Sequence, residues 1–166
     1  MNELMLGQGV GGDFTLLDAY GKSTRLADFH GKVVLLYFGF TSCPDVCPTD
    51  LLAIGQAIKS LGKEGAAVQP VFITLDPKRD TPGILREYVR NFHPGFVALT
   101  GTEAQVRRVA VAYKVFFEKV PLEGAAGYTI DHTAFIFLLD RDGKYIGFLP
   151  PGFPAERIAA ALRQEL

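Results

Sequence analysis

Residues 33–48 read Val33-Val34-Leu35-Leu36-Tyr37-Phe38-Gly39-Phe40-Thr41-Ser42-Cys43-Pro44-Asp45-Val46-Cys47-Pro48. The stretch from Val33 to Phe40 is an almost unbroken apolar run. A half-buried strand would alternate, so this run predicts a strand buried on both faces. Pro48 suits the first turn of a helix, where its missing N–H costs nothing. That helix is expected to reach about Leu61, with Gly62 and Gly65 breaking it. Cys43 and Cys47 therefore fall where a buried strand hands over to a helix. Open α/β sheets place their sites at such carboxyl ends.

Outward from this centre the chain keeps alternating. Phe14 to Leu17 predicts a short strand turned by Asp18 to Gly21. Val68 to Leu75 predicts a second buried strand, closed by Asp76-Pro77. Thr81 before Pro82 reads as an N-cap and first-turn proline of a helix reaching about Phe92. Phe96 to Leu99 is a short strand. Thr102-Glu103-Ala104-Gln105 matches a capping box for a helix to about Tyr113. Val115 to Val120 alternates weakly. Ala134 to Leu139 is a buried strand, and Arg141-Asp142-Gly143-Lys144 turns it into Tyr145 to Leu149. Pro154 to Leu166 reads as a final helix. Strands alternate with helices early and pair through a hairpin late, which predicts an α/β domain with a mixed central β-sheet flanked by helices. Residues 13–166 are expected to form this domain, with 1–12 as a Gly-rich, flexible N-terminal segment.

The chain has 166 residues, 48% of them hydrophobic and 21% charged, enough for one domain with a substantial core. A formal net charge of -1 excludes a basic field able to hold nucleic acid or an anionic membrane. No run approaches the roughly 18 apolar residues of a transmembrane helix. The start, Met1 to Val10, lacks the basic and apolar regions of a secretory signal. The chain as it stands is expected to be soluble.

Its two cysteines lie together. A disulfide between them closes a tiny loop and restrains the unfolded chain little, so a structural staple explains them poorly. Pro44, Asp45 and Pro48 make a plain core stretch a poor explanation as well. Metal binding and redox chemistry remain. A helix N-terminus favours thiolate, which serves as both nucleophile and metal ligand. Four residues of helix separate α-carbons by roughly 6 Å, near the wide end for a disulfide. Thiolates sharing one metal need their sulfurs roughly 4 Å apart, so the spacing accommodates both states. Two soft thiolates favour copper(I) or zinc. A closed zinc site needs four ligands, whereas a three-coordinate copper site needs one more.

Three histidines are available. His30, in Asp28-Phe29-His30-Gly31-Lys32, reads as an exposed turn residue. His93 precedes Pro94-Gly95 and reads as a cation at a helix C-terminus. His132 lies just before the Ala134 strand and is the best-placed third ligand. On spacing alone it is equally a satisfied histidine in the loop leading into that strand.

Three blocks converge on one family. Phe38-Gly39-Phe40-Thr41-Ser42-Cys43-Pro44-Asp45-Val46-Cys47-Pro48 resembles the copper-site motif of the SCO/SenC family. Thr74-Leu75-Asp76-Pro77-Lys78-Arg79-Asp80-Thr81-Pro82 resembles its second block, and Tyr128-Thr129-Ile130-Asp131-His132-Thr133-Ala134-Phe135 its third, in the same order. The resemblance implies a thioredoxin-like fold and a copper metallochaperone that assembles the binuclear copper site of cytochrome c oxidase subunit II. It implies Cys43, Cys47 and His132 as ligands of one copper ion, copper(I) with copper(II) as a second state. It places Asp76 near the metal, orienting a ligand or a partner. Its partners would be the subunit II copper-site domain and other copper chaperones. It implies a location at the outer face of the cytoplasmic membrane or in a periplasm-like space, on an N-terminal anchor absent from this chain.

Rival readings share the cysteines. A thiol–disulfide oxidoreductase would use them as a redox-active dithiol. However, such enzymes usually carry a cis-proline opposite the dithiol, and Ile130-Asp131-His132-Thr133-Ala134 contains no proline. A peroxiredoxin-type peroxidase fits poorly with a second cysteine so near the first. A copper sensor and a copper donor have the same signature at this level.

Overall fold

The computed structural model describes residues 9–42, 46–122, 127–132 and 134–166, without the side chains of 46 and 47. Strands β1 (Thr15–Asp18), β2 (Ser23–Arg25) and β3 (Val33–Gly39) come first. Helix α1 (Val46–Ser60), β4 (Val68–Thr74), α2 (Pro82–Arg90), β5 (Val97–Thr100) and α3 (Glu103–Ala112) follow. The chain closes with β6 (Phe117–Pro121), β7 (Tyr128–His132), β8 (Ile136–Leu139), β9 (Tyr145–Leu149) and α4 (Ala155–Arg163). A seven-stranded sheet runs in the order β2-β1-β5-β4-β3-β8-β9, while β6 and β7 form a separate two-stranded sheet.

The central strands are those expected to be buried on both faces. Every residue of β3, β4 and β8 is buried. β3 pairs in parallel with β4 and antiparallel with β8, and β4 pairs in parallel with β5. The sheet is therefore mixed, and with helices around it the domain has the thioredoxin-like architecture expected. Phe38, Tyr113 and Phe137 pack ring against ring at its centre, with centroids 5.7–6.0 Å apart.

The helix starts follow their chemistry. Thr81 Oγ1 accepts from the Ile84 N–H, with Pro82 in the first turn of α2. Thr102 and Gln105 form the reciprocal capping box that opens α3.

Several boundaries differ from expectation. α1 begins at Val46, so Cys47 lies inside the helix. Pro48 is tolerated there because the first-turn N–H groups have no intrahelical acceptor. After α1 the glycines do not simply end the helix; Gly62–Ala67 forms a 3-10 turn. Ser23–Arg25 is a strand that the sequence pattern hid, because an edge strand of three residues has almost no periodicity. Tyr128–His132 is also a strand, so His132 ends a hairpin rather than sitting in a loop. Residues 1–8 of the segment expected to be flexible lie outside the described residues. By Gly11 the chain is attached, through a bond from its N–H to Ala112 O.

α1 crosses the end of α2 closely. A Cβ at the buried Gly55 would lie 2.1 Å from the Phe92 carbonyl oxygen. In an exposed helix, alanine would be preferred over glycine by about 1 kcal/mol. Here a backbone atom blocks it, and no side-chain rotation relieves the overlap. Gly55→Ala is expected to lower stability by about 1–3 kcal/mol, the usual cost of overpacking. Urea unfolding checks this; an unchanged or raised midpoint would refute the close approach.

Candidate metal centre

Strand register brings the three sequence blocks to one end of the sheet. β8 runs antiparallel to β3 with Ile136 opposite Tyr37. Residues just before Ile136 therefore project past the carboxyl end of β3, where the cysteine segment begins. His132 lies there, its ring edge-on to Phe40 with centroids 5.6 Å apart. Its Nδ1 lies 3.4 Å from the Ile130 carbonyl oxygen.

Topology also separates the other two histidines from this end. His30 precedes β3, and His93 precedes β5, which is parallel to β4 and so to β3. Both lie at the opposite end of the sheet, roughly 20 Å away by strand length. His30 is exposed, as expected for a turn residue. His93 is not the helix-end cation that its position suggested. Desolvation lowers its pKa, and its Nδ1 accepts from the Gly95 N–H at 2.9 Å, both of which favour the neutral ring.

Cys43 lies outside the described residues, and so does the side chain of Cys47. Among the described residues no three metal-ligating side chains form a cluster. The backbone of Cys47 is placed in the first turn of α1, where unpaired N–H groups favour a thiolate. The segment between Phe40 and Asp50 is also fixed at both ends. Phe40 touches the His132 ring, and Asp50 is buried against Tyr37 and Gly152. The chain that carries both cysteines thus leaves from His132's ring contact. This fits a soft metal held by two thiolates and an imidazole.

Three buried acids surround this end. Asp50, Asp76 and Asp80 are each 1% exposed. Asp50 Oδ2 accepts from Tyr37 OH at 2.9 Å, and Oδ1 from the Gly152 N–H at 2.8 Å. Asp80 accepts from Thr41 N–H, Thr41 Oγ1 and Thr74 Oγ1 at 3.0, 2.6 and 2.8 Å. Asp76 Oδ1 accepts from Tyr128 OH at 2.7 Å, and its Oδ2 pairs with Arg79 Nε. Every oxygen of these three carboxylates already accepts a hydrogen bond. These bonds fix the orientation of all three carboxylates.

Asp76 was expected near the metal. The structure places its carboxylate on Tyr128, four residues before His132 on the same strand. Asp50 and Asp80 carried no assigned role in the sequence, although signals for both exist. Asp50 falls on the stripe of Ile54, Ala57 and Ile58 that α1 buries, at helical spacing. Asp80 belongs to the second motif block. No sequence pattern reveals its long-range partner Thr41.

Among the described residues, no helix is long and apolar enough to cross a membrane. A family model described as SCO1/SenC matches residues 3–166. A SCO2-like protein from Rickettsia felis is 45% identical over 138 residues, covering 82% of this chain and 67% of its own length. The structure of Bradyrhizobium japonicum ScoI with copper bound superposes with a TM-score of 0.86 at 39% identity, covering 95% of this chain and 99% of that one. Apo Sco1 from Thermus thermophilus matches with a TM-score of 0.84 at 40% identity, covering 97% and 94%.

Burial pushes the Asp50 carboxyl above its ordinary 3.8, and the bonds from Gly152 and Tyr37 and the charge of His132 offset this only in part. On unfolding, Asp50 therefore releases a proton that the native state retains. Its contribution is intact below 3.8 and is lost as pH rises from there towards the raised folded value. The native protein should lose stability relative to Asp50→Asn across that window. Urea unfolding of both from about pH 3.5 to about pH 7 measures the difference; parallel profiles would contradict it.

Proposed function

The chain belongs to the SCO1/SenC family, and from that membership we propose that it is a copper metallochaperone that helps assemble the binuclear copper site of cytochrome c oxidase subunit II. Copper is its cargo, held by Cys43, Cys47 and His132. The observation that supports this most strongly is the placement of His132 beyond the carboxyl end of β3. There its ring meets Phe40, which leads directly into the cysteine segment. The copper bound to the related ScoI supports the choice of metal.

Each group has a defined task. Cys47, in the first turn of α1, supplies a thiolate that the helix N-terminus favours. Cys43 supplies the second. His132 supplies one imidazole nitrogen from a hairpin separate from the main sheet. Three ligands leave a position where an incoming ligand can attack, so copper passes through a shared-ligand state without being released to solvent. With a net charge of -1, long-range steering is weak and recognition rests on the surface around the site. The partner is the subunit II copper-site domain, at the outer face of the cytoplasmic membrane or in a periplasm-like space; other copper chaperones would supply the metal.

A second reading keeps the cysteines and drops the cargo. As a thiol–disulfide oxidoreductase, the Cys43–Cys47 dithiol would become a disulfide while the partner's disulfide became a dithiol, with two electrons and two protons passing across. The position of Cys47 at a helix start favours this chemistry too.

Cys43→Ala, Cys47→Ala and His132→Ala should each weaken copper(I) binding by more than about 100-fold, since losing a ligand exceeds the roughly 10–100-fold cost of losing an outer partner. His30→Ala and His93→Ala should leave binding unchanged. Anaerobic competition against a chromophoric copper(I) chelator reads all five, and equal loss from His30→Ala would sink the ligand set. Mixing copper-loaded protein with reduced, metal-free subunit II copper domain should yield metallated partner. If copper stays put while an oxidised partner is reduced, the oxidoreductase reading replaces the chaperone.

A further inference from the structure

Among the described residues, β6 and β7 pair only with each other, so no ladder bond ties their hairpin to the seven-stranded sheet. The hairpin is held by side chains. Alternate residues of a strand share a face, which puts Tyr128, Ile130 and His132 on one side of β7 and Asp131 on the other. Ile130 is buried and Asp131 exposed, so the Tyr128 side faces the body.

At the His132 end of that face the ring stands edge-on to Phe40. At the Tyr128 end the attachment is dense. The phenol donates to Asp76 Oδ1 at 2.7 Å, and Arg79 Nη1 donates to the Tyr128 carbonyl oxygen at 2.7 Å. The Arg79 guanidinium lies 3.7 Å from the ring centroid, and Lys119 Nζ lies 5.1 Å from it. Burial first and the Asp76 bond second push the phenol up to about 12, so it stays protonated as a donor.

Asp76 is itself held. Its N–H donates to Thr74 Oγ1 at 2.9 Å, and its carbonyl accepts from the Asp80 N–H at 2.9 Å. Asp80 in turn grips Thr41, two residues before Cys43. One turn thus sets both the start of the cysteine segment and the start of the histidine strand. A strand is stiff over four residues, so fixing Tyr128 fixes the height at which His132 is presented.

We infer that Tyr128 is a positioning residue for His132: its hydroxyl, bonded to Asp76, sets where β7 presents the imidazole to the metal. The inference rests on the ligand set proposed above. Tyr128→Phe removes only the hydroxyl and leaves the ring under Arg79. Arg79→Lys keeps a charge but loses the planar fork that reaches both Asp76 and the Tyr128 carbonyl.

The test is a double-mutant cycle on the full chain, read by anaerobic copper(I) competition. Tyr128→Phe should lower affinity about tenfold, the lower end for an outer partner of a ligand. In a His132→Ala background the same change should cost less than about twofold, because there is no imidazole left to misplace. Arg79→Lys should show the same dependence on His132. In the metal-free protein, the His132 imidazole resonances should shift in Tyr128→Phe while those of His30 and His93 stay in place. Equal losses in both backgrounds, or unmoved His132 resonances, would overturn the positioning role. No loss from His132→Ala alone would instead overturn the ligand set.

Discussion

The Asp80 carboxylate organises this end of the molecule. It is buried, and its donors come from two different strand ends: Thr41 after β3 and Thr74 at the end of β4. Hydrogen bonds to a charged group contribute about 1.5–3 kcal/mol each, and removing the shared acceptor would leave buried donors unpaired. The cost of burying a carboxylate is accepted where its bonds join segments that no backbone ladder joins. Here they join the exit of β3, which leads to Cys43, to the turn that carries Asp76.

From that turn the order spreads to a hairpin outside the main sheet. Among the described residues β6 and β7 pair only with each other, so no ladder bond ties them to the main sheet. Asp76 and Arg79 provide one hold through Tyr128, and Lys119 bonded to Glu103 at 3.0 Å provides an exposed one. The exposed pair contributes little in water. The cysteine segment is continuous with β3 and α1 of the rigid core, whereas the histidine comes from a part attached by side chains. The proposed ligand set is thus divided between the core and a hairpin that side chains attach to it.

The buried acids around the site are fixed in place. Every nearby buried carboxylate oxygen accepts at least one hydrogen bond within the protein. These bonds orient the carboxylates without filling all their lone pairs, so a preference for a soft cation would come from thiolate and imidazole themselves.

Much of this was legible in the sequence, for identifiable reasons. The run Val33 to Phe40 revealed a strand buried on both faces, because such burial removes alternation. Thr81-Pro82 and the Thr102–Gln105 box revealed two helix starts, because capping is local chemistry. The motif blocks identified the family and singled out Cys43, Cys47 and His132. What the sequence did not reveal depends on contacts between distant residues. β2 and β7 are strands through their partners more than through their own pattern. Asp50 bonds to Gly152, Asp80 to Thr41 and Asp76 to Tyr128, across 102, 39 and 52 residues. A carboxylate carries no mark of which donor will find it. The sequence therefore determined which residues carry soft-metal ligand chemistry. Only the tertiary structure decided that His30 and His93 lie at the wrong end of the sheet, and that Tyr128 anchors the strand presenting His132, because both depend on strand direction and register.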